Sequence, residues 1–252
     1  MLKTRIIPLL LLRKGRMVKG RHFRDFRDVG DPTSAARIYN AQNADELIFL
    51  DIEASVQGRQ ALIDVIRRVS KECFMPLSVG GGVRSLEDIR ALLNAGADKV
   101  VITSAAAQDP GFIRVASEAF GRQCIVVGVD VKKEDGIYRV YTHSGRDRAD
   151  VDLIAHVKRM EKEGAGEILV NSIDRDGTME GYDLVLARSV VEAVSLPVII
   201  CGGSGNFMHL VDAVQQAGVH AVACASVFHF GDNNPIRARS YLKNKGIPVK
   251  NV

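Results

Sequence analysis

The 252-residue sequence is marked first by what it lacks. No apolar run approaches the roughly 20 residues needed to cross a bilayer as a helix, so no membrane association is expected. The opening Met1-Leu-Lys-Thr-Arg-Ile-Ile-Pro8 has no apolar signal core or cleavage site and reads straight into a strand. Cys73, Cys124, Cys201 and Cys224 show neither CxxC spacing nor a disulfide framework, and three of them lie in apolar strand-like runs. They read as buried thiols, which points to a reducing cytoplasm. The six histidines are scattered without ligand spacing, so neither a metal nor a redox cofactor is expected. A net charge of +4 is too mild to argue for a nucleic acid partner. No Pro- or Ser-rich linker divides the chain, which favours one domain.

What is present is a repeat. Apolar, β-branched runs at about 5–12, 46–52, 77–80, 99–103, 124–131, 167–172, 197–201 and 220–225 are candidate strands. Between them lie the amphipathic segments Pro32–Ala41, Arg59–Ser70, Leu86–Ala95, Asp150–Glu163, Asp183–Ala193 and Met208–Ala217. Eight strands alternating with helices predict an α/β fold, the parallel (β/α)8 TIM barrel. Aligning Arg5–Arg13 on Cys124–Lys132 sets Leu11 opposite Asp130. At nearly the same offset Glu46 matches Glu167, Gly80, Gly81 and Gly82 match Gly202 and Gly203, and Thr103-Ser104 falls near Ala225-Ser226. A period of roughly 120 residues is an internal duplication. It predicts one barrel domain over 1–252, built from half-barrels of about 1–122 and 123–252. A doubly wound sheet is the alternative, disfavoured because two like halves close a barrel naturally and no GxGxxG follows the first strand.

In such a barrel chemistry sits where the strands end. That rule places Asp51, Asp130, Asn171 and Ser226 at the active end, and Arg5, Glu46, Lys99 and Glu167 at the opposite mouth. The loop after strand one carries Lys14, Arg16, Lys19, Arg21, Arg24 and Arg27 among Phe23 and Phe26. It reads either as a solvated loop or as a lid that attracts an anionic substrate, and its place at the active end favours the lid. Loops after strands three and seven carry Gly81-Gly82 and Gly202-Gly203, and those after four and eight carry Thr103-Ser104 and Ala225-Ser226. Glycine lets backbone N–H groups approach a phosphate closely. One such run is an ordinary turn, whereas two related by the repeat predict two phosphate sites facing each other across one mouth. Asp176-Gly177 is expected to add a backbone donor to the second.

A dense series of motifs then carries a resemblance. Arg5-Ile-Ile-Pro8, Val18-Lys-Gly20, Gly30-Asp-Pro32, Asp45-Glu-Leu47, Leu50-Asp-Ile52, Val79-Gly-Gly-Gly82 and Gly96-Ala-Asp-Lys99 are followed by Asp174-Arg-Asp-Gly-Thr178, Gly181-Tyr-Asp183 and Ala225-Ser-Val-Phe-His229. Essentially end to end, they resemble the HisF family, the cyclase subunits of imidazole glycerol phosphate synthase. The sister isomerase of histidine biosynthesis fits less well, because the Glu46, Lys99 and Glu167 set belongs to the cyclase. The resemblance implies a glutaminase subunit docked on the N-terminal face, with Asp98 among the residues presented to it. Ammonia would pass a gate of Arg5, Glu46, Lys99 and Glu167 and cross the barrel. A salt-bridge ring plugging the barrel bottom is the plainer reading of the same four residues.

The chain departs from the family at one position. In the cyclase two aspartates, ending strands one and five, do general acid–base work; here Asp130 supplies one and Leu11 stands for the other. Leucine exchanges no proton, and such a group is worth roughly 10²–10⁴-fold in rate. Lys19, Asp51 and Asn171 remain as family-like active-end residues. A HisF-like branch shares the apolar strand-one ending and resembles ammonia-delivering partners of a glutaminase and a sugar amidotransferase in amidino-sugar synthesis for surface polysaccharides. Three readings follow: an ammonia conduit of that kind, a cyclase lyase of histidine biosynthesis using Asp130 with Lys19 closing over substrate, and a bisphosphate-sensing regulator. Whether the chain is itself an enzyme turns on Leu11.

Overall fold

The computed structural model describes residues 3–229 and 232–250. The chain opens with β1 (Arg5–Arg13), the hairpin β2 (Arg16–Arg21) and β3 (Arg24–Gly30), then α1 (Pro32–Ala41) and β4 (Leu47–Asp51). It continues through α2 (Ile63–Ser70), β5 (Leu77–Gly80), α3 (Leu86–Asn94), β6 (Lys99–Ile102), α4 (Ser104–Gln108) and α5 (Gly111–Phe120). A second hairpin follows β7 (Ile125–Glu134), formed by β8 (Ile137–Thr142) and β9 (Asp147–Asp152). The remainder is α6 (Leu153–Lys162), β10 (Glu167–Ser172), α7 (Leu184–Ala193), β11 (Val198–Cys201), α8 (Phe207–Ala217), β12 (Ala221–Cys224), α9 (Ser226–His229) and α10 (Pro235–Asn244).

Eight parallel strands run β1-β4-β5-β6-β7-β10-β11-β12 and close where β12 pairs with β1. This is a TIM barrel. Its strands are apolar on both faces because both faces are buried. In β1 the odd residues Ile7, Leu9 and Leu11 join Ile48, Val101, Val126, Leu169, Ile199 and Ala221 inside the barrel. The even residues Ile6, Leu10 and Leu12 pack outward under the helices. The period of two therefore decides which side chains reach the barrel axis.

Three departures from the sequence reading bear on the barrel mouth. The basic stretch after strand one is an antiparallel hairpin extending β1 through Leu11↔Val18, not an irregular loop. The helix expected over Asp150–Glu163 begins only at Leu153, because Asp147–Asp152 pairs as β9 and Asp152 caps the helix. The helix expected from Arg59 starts at Ile63, and Arg59 turns back toward the barrel mouth. Both hairpins rise from the active end, at β1 and β7.

Candidate functional site

The mouth at the strand C-termini holds two connected cavities. The larger encloses about 970 Å³ including its open mouth and is lined by Gly81, Gly82, Thr103, Ser104, Asp51 and Asp130. The smaller, about 400 Å³, is lined by Lys19, Asp176, Gly177, Gly202, Gly203, Ala225 and Ser226. Leu11, Phe23 and Asn171 line both. The two sets of loops singled out in the sequence thus flank one mouth, and Leu11 stands where they meet.

Asp130 ends the inward face of β7 and sits in register beside Asn171 of β10. Asn171 Nδ2 donates to Asp130 Oδ1 at 3.4 Å, and among the described residues no cation pairs with the carboxylate. Burial pushes the Asp130 carboxyl up to about 7; the Asn171 hydrogen bond opposes this and the charge of Asp176 adds to it. A carboxyl so placed can both give and take a proton near neutral pH. Leu11, 8% exposed, occupies the equivalent inward position on β1 and offers no such chemistry.

Asp51 is placed differently. Its carboxylate accepts from Arg59 Nη1 at 2.7 Å and Nη2 at 3.0 Å, and from the Glu53 and Ala54 amides at 3.2 Å each. Both oxygens are hydrogen-bonded, so Asp51 ties the loop after β4 to Arg59. Lys19 lies on β2 at 5% exposure, with its Nζ 2.5 Å from Asp176 Oδ1. Its charge is already neutralised, so it ties the hairpin down and does not reach into the large cavity. Asp176 also accepts from the His22 amide at its carbonyl (2.9 Å) and from the Phe23 amide at its side chain (3.3 Å). The Asp176 amide itself donates to Ser172 at 2.9 Å, which leaves Gly177, not Asp176, to supply a donor to the second cavity.

The glycines are explained by close backbone approach. A Cβ on Gly81 would lie 2.4 Å from the Asp51 carbonyl oxygen, and one on Gly203 would lie 2.1 Å from that of Gly181, both at positive φ. Ser104 Oγ accepts from the His143 amide at 3.0 Å, joining the first loop set to the β8–β9 turn. Sequence reasoning missed Arg59, His143, Ser144 and exposed Arg84, which line or border the large cavity. They lie on loops whose length gives no periodic signal.

At the other end, four charges form a closed ring. Arg5 meets Glu46 at 2.6 Å and Glu167 at 2.7 Å; Lys99 meets Glu46 at 3.0 Å and Glu167 at 2.7 Å. Ser78 Oγ donates to the buried Glu46 at 2.6 Å. Burial works against the Glu167 charge, but Arg5 and Lys99 outweigh it and hold its carboxyl below the ordinary value. Asp98 is exposed beside this ring, one oxygen capping the Leu77 amide at 2.8 Å.

Residues 5–234 match the family model described as Histidine biosynthesis protein. The chain belongs to that family. Histidine biosynthesis proteins of this family include isomerase-type and cyclase-type barrels. Among the described residues no helix is long and apolar enough to cross a membrane, and no group of three His, Cys, Asp or Glu side chains could hold a metal ion.

Proposed function

We propose that this chain is the ammonia-channelling synthase subunit of a glutamine amidotransferase complex. It receives ammonia from a glutaminase at the Arg5–Glu46–Lys99–Glu167 ring and releases it at the Asp130 mouth, for amidination of a nucleotide sugar in surface polysaccharide synthesis. The observation that carries this reading is Leu11 facing the cavity where paired acid–base chemistry needs a second carboxyl. The charged ring supports it, since four charges at a barrel end are costly to keep unless they have a use there.

The second reading is the cyclase of imidazole glycerol phosphate synthase, a lyase. It is favoured by the raised Asp130 carboxyl and the two retained loop sets. One assay separates them: ammonia-dependent turnover of the phosphoribulosyl-formimino cyclase substrate by wild type, Leu11→Asp and Asp130→Asn. The conduit reading expects turnover at least about 10²-fold below a two-carboxylate cyclase, with activity gained in Leu11→Asp. Robust wild-type turnover that Asp130→Asn removes would make the chain a one-carboxylate cyclase.

A further inference from the structure

Among the described residues eight large apolar side chains are exposed, and five of them, Ile137, Met179, Val185, Met208 and Ile236, belong to the active end of the barrel. Three share an address at a helix start. Val185, Met208 and Ile236 each stand two residues after the N-cap of their helix, behind Asp183 on α7, Asn206 on α8 and Asn234 on α10. The unpaired amides of a helix start favour an acid there, as Glu87 and Asp88 provide on α3. Helices α7, α8 and α10 have no acid in the first turn, a trait they share with α1, α5 and α6, but only they expose a large apolar side chain there. Three neighbouring helices thus keep exposed apolar side chains where stability alone favours carboxylates.

The five form one arc. Helix α8 packs against both α7 and α10. The Met179 carbonyl lies against Gly205, just before α8, and Tyr138 beside Ile137 donates to Asp183 at 2.9 Å. The β2–β3 hairpin on the same rim is basic. Residues 13–30 hold seven cations against two carboxylates, more positive charge than the whole chain's net +4. Arg13, Arg16 and Lys19 have acid partners, whereas exposed Arg21, Arg24 and Arg27 have none among the described residues.

We infer that this rim is a docking face for the enzyme that consumes the ammonia, a protein presenting an apolar patch bordered by carboxylates. The inference rests on the conduit reading, in which ammonia leaves at this end and must be kept from solvent. An apolar arc gives the seal, and the unpaired arginines give orientation and partner choice.

The test uses the full chain, its glutaminase and the nucleotide-sugar amidotransferase of the proposed system. Binding of the chain to each partner is measured for wild type, for Val185→Asp with Met208→Asp, and for Arg21→Glu with Arg24→Glu. Wild type should bind the amidotransferase, less tightly as salt rises from about 50 to about 500 mM. Both double variants should weaken that binding at least about tenfold and leave glutaminase binding unchanged. The aspartate pair should hold or raise Tm, because acids suit those helix starts. Wild type that binds glutaminase but not the amidotransferase overturns the docking face and leaves the conduit reading standing. So does amidotransferase binding indifferent to both double variants, or a self-dimer in sedimentation that the aspartate pair dissolves. A wild-type chain that binds no glutaminase strikes the conduit reading itself, and this inference with it.

Discussion

Two positions on the same inward register, Leu11 and Asp130, set what this barrel can do. A buried carboxyl raised to about 7 binds its proton more tightly folded than unfolded. Stability therefore suffers no penalty below the ordinary value near 3.8, loses ground as pH rises, and carries the full penalty above about 7. Asp130→Asn should thus match wild type in thermal stability near pH 4 and exceed it near pH 8, by an amount on the order of a few kcal/mol. Parallel melting curves across pH check this, and a constant difference would mean that Asp130 is ionised without penalty. Leu11→Asp should move the other way, losing stability relative to wild type as pH rises, because it buries a second carboxyl in the same mouth.

At the scale of elements, the β2–β3 hairpin is the part that sequence periodicity obscured. Its turn places His22 and Phe23 at φ of 50° and 60°, a region costly for residues other than glycine. The loop after β10 holds them there: Asp176 takes the Lys19 ammonium and both turn amides, and the Gly20 carbonyl lies so close to Gly177 that a Cβ there would meet it at 2.3 Å. Asp176→Asn leaves the buried Lys19 without its countercharge, a loss of roughly 3–5 kcal/mol when such pairs are broken. The hairpin should then detach, so that trypsin cuts within residues 13–30 faster while far-UV circular dichroism shows the barrel intact. Equal cleavage rates would mean that the turn is held by its own strand pairing.

For the whole molecule, the charged ring closes the barrel end opposite the active mouth. Arg5→Met leaves the buried Glu46 and the half-buried Glu167 with Lys99 as their one cation and should cost about 3 kcal/mol in urea unfolding. The acid limb gives a sharper signature. Glu167 is held below its ordinary value near 4.5, so its stabilisation is present above that pH and lost as pH falls through the lower folded-state value. Removing Arg5 should flatten this acid-side loss, and an unchanged acid limb would mean that Lys99 suffices. Ring and mouth thus lie at opposite ends of one barrel.

The sequence by itself determined the strand and helix alternation, the barrel class and the two ends on which charged and glycine-rich residues fall. These follow from local periodicity and from the rule that strands point their ends one way. It also marked Leu11 against Asp130, because an inward register of period two survives in the apolar run. Only the tertiary structure decided which polar groups are free. Asp51 proved to be held by Arg59, eight residues on, and Lys19 by Asp176, 157 residues on. Such pairings join loops that share no pattern in the sequence. Nor does the sequence show that Val185, Met208 and Ile236 stand exposed at three helix starts, since exposure is a property of the packed molecule.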